Sequence, residues 1–446
     1  MCTLINTQNL LFRGVQMNTQ EPTLSKQIYQ EFKKKIEEKH YQIGQKLPSI
    51  RSLSKKRKIS TTTVLTAYNQ LTLEGYVSSI ERSGFIVEPL PELAKPSKHK
   101  KTFNHTFSPE KNKQLDAELF DLKTFKSMTN RVYNYHQEDL LKQADPFGEE
   151  LLREQIQQYI LKERNVVCHK DQIIIAPGVQ FLLEILVTLV PKSSVLTTPN
   201  EFKKAMHVFS KHQMNIHHTK SFKDMPKHDF LYISPSNVYP TGEVIKMEDR
   251  INIMNWANQH DAYIIEDDYN YFMRYNAFSV PSIHSLDKQG KVIYIGSFSK
   301  VLFPGLKISF MVLPIHLAKK AEQEMHLQTQ GVSKVDQLAM AYFMSEGLFY
   351  RHTKKLYTSY KEKNNALIHA LDTLNIKDIA DVTSTSSNLH IVLSFYKNID
   401  KDTFIKMCKI HGFTYQLTHQ KNTLIFPYEG IKNEEMYGIL KTLFSL

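Results

Sequence analysis

The chain has 446 residues, a length that allows two to four domains at roughly 100–200 residues each. Hydrophobic residues make up 41% and charged residues 23%, enough to bury a normal core, which excludes a chain disordered throughout. A formal charge of +12 points to a polyanionic partner without deciding the fold, while three scattered cysteines, Cys2, Cys168 and Cys408, exclude a disulfide framework or a zinc site and fit a reducing cytoplasm.

The first 16 residues hold one basic residue and a broken apolar stretch, so they do not read as a signal peptide. Residues 1–20 read as a disordered extension, and Met17 offers an alternative start just before the first organised segment. Over 24–38, Leu24, Ile28, Phe32 and Ile36 recur every four residues, the pattern of one helix face. Ser49 follows Pro48 and is placed to cap a short second helix through Ile50, Leu53 and Ser54. Ser60, Thr61, Thr62 and Thr63 open a third helix, with Val64, Ala67, Tyr68 and Leu71 on one face and a stop near Gly75. Residues 76–87 alternate and turn at Ser83 and Gly84, predicting a β-hairpin. Three helices and a hairpin make a winged helix-turn-helix over 21–90, and the same pattern also suits a small protein-interaction module.

The positive charge is unevenly placed along the chain. Residues 1–95 hold fourteen Lys or Arg against eight Glu and no Asp, half the net charge in about a fifth of the chain. The run Lys55, Lys56, Arg57 and Lys58 is a candidate for phosphate attraction. Residues 91–114 are lysine-rich, carry Pro96 and Pro109, and show no helical or strand period, so they read as a solvated linker.

From 115 onward short apolar strands alternate with helical stretches: 172–176, 195–198, 230–233, 262–266, 292–295 and 308–312. This predicts an α/β body with a mostly parallel central sheet, divided into a large domain (115–330) and a small C-terminal α+β lobe (331–446). Ligands in such sheets sit at the carboxyl ends of the strands. After the strand at 292–295 come Gly296, Ser297, Phe298, Ser299 and Lys300, a lysine able to form a Schiff base beside hydroxyls able to bond a phosphate. After 262–266 come Asp267, Asp268 and Tyr269; a carboxylate set against a pyridine nitrogen keeps it protonated. After 172–176 come Pro177, Gly178 and Val179, opening an apolar helix whose amides form an anion site. That apolar run, 181–190, contains Glu184 and is too short to span a bilayer, so no membrane association is expected. His207, His212, His217 and His218 are spaced by 5, 5 and 1, with no acid or cysteine to complete a set, and read as surface histidines; no metal is expected.

Leu47-Pro48-Ser49-Ile50-Arg51, Ser60 to Val64, Glu74-Gly75 and Ser83-Gly84-Phe85 resemble the GntR-type winged helix, and these three strand-end motifs, with Ser234-Pro235-Ser236-Asn237 and Tyr239-Pro240-Thr241-Gly242 after 230–233 as a fourth, resemble fold-type I aminotransferase-like proteins in their order. Together they resemble MocR-type regulators over about residues 24–446. The resemblance implies DNA contact by Ser49, Arg51, Ser60, Thr61, Thr62, Thr63 and Gly84. It also implies pyridoxal 5'-phosphate held by Lys300 as an internal aldimine, with Asp267 at the pyridine nitrogen and Tyr269 at the ring hydroxyl. Gly178, Val179, Ser297, Ser299 and Lys307 would cradle the phosphate, Phe202 would lie near the ring, and Asp145 to Gly148 would form a glycine turn close by. A head-to-tail homodimer on double-stranded operator DNA, answering to pyridoxal phosphate, an amine or an amino acid, follows from the same resemblance.

Two departures bear on function. Lys307 stands where arginine is common, replacing a forked contact with a point charge. The last arginine of the chain is Arg351, so the strip 412–427, where a substrate carboxylate would be clamped, offers His419 and Lys421 alone. The expectation is therefore a regulator sensing pyridoxal phosphate itself or an amine without a carboxylate contact, unless Arg274 or Arg351 substitutes. The alternatives are an active aminotransferase with an accessory DNA-binding domain, and a regulator that has lost the cofactor.

Overall fold

The computed structural model describes residues 23–81, 84–89, 119–199, 202–269, 271–272, 280–299, 301–303, 305–383, 389–396, 405–406, 416–417, 423–429 and 431–444. The expected extension 1–20 and linker 91–114 lie outside these residues. The chain divides into two compact units, residues 1–107 and 108–446.

In the first unit, α1 (Leu24–Glu37), α2 (Ile50–Arg57) and α3 (Thr61–Leu73) precede the antiparallel hairpin β1 (Val77–Ile80) and β2 (Gly84–Val87). Ile28, Phe32 and Ile36 are buried, but Leu24 is 57% exposed. A strict four-residue step drifts off a 3.6-residue turn, so the first position of the run swings out of the core. Tyr68 of α3 is the centre of this core. It is fully buried, meets Phe32 and Phe85 edge-on at 5.5 and 5.0 Å, and donates its hydroxyl to the Pro48 carbonyl at 3.0 Å. That bond ties α3 to the turn that launches α2. Tyr68→Phe keeps the ring and loses the bond, so it is expected to cost about 1 kcal/mol in urea unfolding followed by circular dichroism.

The second unit carries a seven-stranded sheet in the order β3 (Ile173–Ala176), β9 (Ser309–Val312), β8 (Val292–Ser297), β7 (Tyr263–Asp267), β6 (Phe230–Ile233), β4 (Ser194–Thr197) and β5 (Asn215–His218). Only β9 runs against its neighbours; the other pairings are parallel. The central strands are unbroken apolar runs because both faces are covered. One face packs on α7 (Val179–Leu189), α8 (Lys203–Lys211) and α10 (Ile315–Met325) through Ile174, Ile265, Ile293 and Met311. On the other, Leu231, Ile264 and Val292 meet α9 (Met247–His260). There too Ile173, Ile175 and Phe310 join the core of α4 (Leu122–Tyr135), α6 (Glu150–Arg164), α11 (Lys334–Ser345) and α12 (Leu348–Thr373). A four-residue helix, α5 (Gln137–Leu140), follows α4.

A small antiparallel sheet, ordered β10 (Ala380–Thr383), β11 (His390–Phe395), β13 (Thr423–Pro427) and β12 (Gln416–Leu417), packs with α12 and α13 (Met436–Phe444). Strand β5 has no counterpart among the strands expected from the sequence. Three of its four residues are polar and the strand is largely exposed at this edge of the sheet, where an apolar run would invite further pairing. Among the described residues no helix is long and apolar enough to cross a membrane.

Candidate functional site

Two regions gather the candidate residues. In the winged helix, Ser49 is the N-cap of α2 and accepts from the Ser52 amide at 3.2 Å. Ser60 caps α3, accepting from the Thr63 amide at 3.0 Å, and its hydroxyl lies 2.7 Å from that of Thr63. Ser60 and Thr63 therefore satisfy each other and fix the start of α3, which leaves Thr61 and Thr62 as its exposed hydroxyls. Arg51 is exposed in the first turn of α2, and Gly84 opens β2 at φ +99°, backbone that disfavours a side chain. Arg57 differs from the expectation for its basic run. Its guanidinium reaches both Glu31 carboxylate oxygens at 2.8 Å, so it ties α2 to α1, and Lys55, Lys56 and Lys58 remain as exposed charges.

In the second unit the carboxyl ends of β6, β7 and β8 lie side by side, with Ile233 opposite Glu266 and Asp267 opposite Ile295. Asp267 is 3% exposed, and one carboxylate oxygen accepts from the Tyr232 hydroxyl at 2.5 Å. Tyr269 is partly buried and donates to the Asn237 carbonyl at 3.3 Å; Asn237 itself is buried. Ser297 ends β8 and accepts at 2.9 Å from Ser309, a fully buried serine that faces both Ser297 and Ala176 in the sheet register. The Ser299 amide donates to the Ser297 hydroxyl at 3.4 Å.

Beyond Ala176 the chain turns at Gly178, φ +117°, where no neighbouring atom comes within 4 Å of an added Cβ, and Val179 begins α7. The register thus brings Gly178, Ser309 and Ser297 to one edge, where the first amides of α7 supply positive potential. Lys307 precedes β9 at φ +51° with an exposed side chain, and Phe202, 41% exposed, stands at the start of α8. Lys300 lies outside the described residues, between Ser299 and the buried Val301.

Asp268, adjacent to Asp267, has a separate task. It is buried, accepting from Arg164 Nε at 2.5 Å and from the Tyr294 hydroxyl at 2.8 Å. Arg164, 1% exposed at the end of α6, also bonds the Val280 carbonyl at 2.7 Å and the Ser236 hydroxyl at 2.8 Å, and lies 4.9 Å from the Tyr271 ring centroid. One guanidinium thus fixes the Asn237 loop, the end of β7 and the chain entering residue 281. Glu266, fully buried, accepts from the Ile283 and His284 amides at 2.8 and 2.9 Å. Burial, and then the charge of Asp268, push its carboxyl up to about 7.

The turn from Asp145 to Gly148 has a structural cause. Gly148 sits at φ +103° with an ideal Cβ only 2.6 Å from the Ile175 side chain, and the Phe147 carbonyl accepts from the Ile175 amide at 2.8 Å. Only glycine lets the turn lie so close on β3.

The described arginines bear on how a substrate carboxylate could be held. Arg153 is bound to Gly148, Lys170, Asp171 and Asp145, Arg250 to three backbone carbonyls, and Arg131 pairs with Glu346. Arg351 is exposed on α12, whereas Arg274, His419 and Lys421 lie outside the described residues. The described strand β13 is Thr-Leu-Ile-Phe-Pro, without a cation. Among the described residues no three His, Cys, Asp or Glu side chains come together to hold a metal; His212 meets Glu184 at 2.5 Å, and His217 meets His228 at 3.0 Å.

Sequence reasoning missed Tyr232, Ser309 and Arg164. Tyr232 is the one hydroxyl in the run Phe-Leu-Tyr-Ile, a signal available in advance; nothing local marks the other two.

Comparison with known proteins bears on both regions. Residues 24–87 match the bacterial regulatory proteins of the gntR family. The chain is 30% identical to the HTH-type transcriptional regulator YdeL of Bacillus subtilis, over 94% of this chain and 96% of that protein. It is 26% identical to the probable rhizopine catabolism regulatory protein MocR of Rhizobium meliloti, over 95% and 93% respectively. It is also 26% identical to the pyridoxine biosynthesis transcriptional regulator PdxR of Corynebacterium glutamicum, over 85% of each. Among solved structures, the multiple substrate aminotransferase of Thermococcus profundus aligns over 74% of this chain and 88% of its own, with a TM-score of 0.65 and 19% identity. That likeness establishes an aminotransferase fold.

Proposed function

The chain belongs to the MocR-type transcription regulators of the GntR superfamily, a DNA-binding winged helix joined to an aminotransferase-like domain, and from this premise we propose that the second domain binds pyridoxal 5'-phosphate and governs DNA binding through it. The observation that carries the reading is the buried Asp267 carboxylate, held by Tyr232 at the meeting point of three strand ends.

The residues present suit the cofactor. Asp267 is the partner for a protonated pyridine nitrogen, and Tyr269, beside Asn237, is the donor for the ring hydroxyl. Gly178 and Val179 at the start of α7, with Ser297, Ser299 and the point charge of Lys307, form the phosphate cradle. Ser309 stands behind Ser297 and orients its hydroxyl, which adds a donor to a cradle that Pro177 and Val179 leave short of hydroxyls. Phe202 offers a ring face, and Lys300 is the point of covalent attachment. When bound, the cofactor supplies an aldehyde that condenses with amines and a ring that withdraws electrons.

The effector is pyridoxal phosphate itself or an amine lacking a carboxylate. This is supported by the commitment of Arg131, Arg153, Arg164 and Arg250 to other partners. The genes controlled would then serve vitamin B6 supply or amine use. Ser49, Arg51, Ser60 to Thr63 and Gly84 meet double-stranded operator DNA, with a head-to-tail homodimer presenting two winged helices to two half-sites in the cytoplasm. Binding of the cofactor to one arrangement of the large domain shifts a two-state equilibrium that the winged helices share.

The visible spectrum tests the reading. Wild type mixed with pyridoxal phosphate and desalted is expected to keep a visible band, and Lys300→Ala to lose it. A wild type without any band overturns the proposal. Rapid loss of the band with release of a keto acid would assign the active aminotransferase instead.

A further inference from the structure

The positive charge of the chain has a second location in the sequence, beyond the winged-helix and linker residues. Residues 114–446 carry a formal charge of only +2, yet 201–228 alone carry +4, with six lysines against Glu201 and Asp224, so the rest of that body is net acidic. Five histidines, His207, His212, His217, His218 and His228, lie in the same stretch. It comprises α8, edge strand β5 and the segment leading to β6. Lys203, Lys204, Lys211, Lys220, Lys223 and Lys227 are all exposed. Lys211 shares Glu184 with His212, and Lys223 lies 3.7 Å from Glu248. Lys203, Lys204, Lys220 and Lys227 form no ion pair among the described residues.

We propose that this stretch, a ridge of positive charge along the sequence, is a second DNA contact, through which the aminotransferase-like domain binds duplex phosphates without reading bases. Protection of the sheet edge does not account for it, because β5 itself holds no lysine and its own polar residues already blunt the edge. Lysines suit a contact that carries charge but no sequence information: each is a flexible point charge, well matched to a phosphate and poorly matched to a base edge. The winged helix makes duplex DNA the polyanion that this chain meets. An acidic protein would instead need a patterned, partly apolar surface, and this ridge presents lysine and histidine.

The proposal rests on the DNA-binding reading of the winged helix, and its test separates the two. Full-length protein is titrated with the duplex beside its own gene, and with a scrambled duplex of equal length, across a range of salt. The variant carries Lys203→Gln, Lys204→Gln, Lys220→Gln and Lys227→Gln, all at exposed positions, with folding checked by thermal melting. The slope of log affinity against log salt is expected to become shallower by about two to four on both duplexes, at roughly 0.9 for each phosphate no longer neutralised. Affinity at low salt should fall about 10- to 100-fold, with unchanged preference for the specific duplex. An unchanged slope overturns the ridge proposal. Equal affinity of wild type for the two duplexes overturns the regulator reading instead, while the scrambled duplex still reports on the ridge. Arg51→Ala, in the winged helix, should reduce the preference and leave the ridge contribution intact.

Discussion

Arg164→Met is expected to destabilise the second unit by about 3–5 kcal/mol, measured as a lowered urea midpoint for its unfolding. The guanidinium is 1% exposed, and its removal leaves Asp268 buried with only the Tyr294 hydroxyl on the oxygen it shared. The Val280 carbonyl and the Ser236 hydroxyl are deprived of a charged donor as well. Leaving buried partners unmet costs more than the net value of the pair, because each has already been stripped of water. Arg164→Met with Asp268→Leu should therefore recover part of the loss, and additive effects would show that the two side chains are not coupled. The loss should also grow with pH. Glu266 already sits near 7 through burial and Asp268, against an unfolded value near 4.5. A carboxyl whose folded value is raised binds its proton more tightly when folded, so stability falls as pH rises through that window. Without the arginine cation the two carboxylates repel unscreened, and the variant should be weaker at pH 8 than at pH 6.

Asp267→Ala is expected to lower affinity for pyridoxal phosphate by about 10- to 100-fold, the scale of one lost charge-assisted hydrogen bond of about 1.5–3 kcal/mol. The carboxylate is buried at the end of β7 and already oriented by Tyr232, so little ordering remains to be done on binding. Tyr232→Phe keeps the carboxylate and frees its orientation, and should weaken binding less. Equilibrium titration of the visible band gives both values. Equal affinity for wild type and Asp267→Ala would remove this residue from the site.

The fold is largely legible in the sequence because its signals are local. The central strands are short apolar runs, Ser49 and Ser60 stand at the caps they occupy, and Gly84 marks the wing. Strand β5 is not legible, because Asn-Ile-His-His holds no apolar run to find. Leu24 misleads because a four-residue spacing does not follow one helix face for long. The site divides the same way. Asp267 and Ser297 end strands and Gly178 lies two residues beyond one, so sequence position alone marks them. Tyr232, Ser309 and Arg164 act on residues 35, 12 and 104 positions away, through sheet register and helix packing that no local pattern encodes. Arg57 escapes for a related reason: its charge is visible, but its partner Glu31 is 26 residues distant.

Cofactor binding in one unit is proposed to alter DNA binding by the other. The most direct measurement is the affinity of full-length protein for the duplex beside its own gene, with and without pyridoxal phosphate, in wild type and Lys300→Ala. Coupling of about 1–3 kcal/mol is expected, a change of roughly 5- to 150-fold in wild type that Lys300→Ala abolishes. Identical affinities in wild type with and without the cofactor would contradict it.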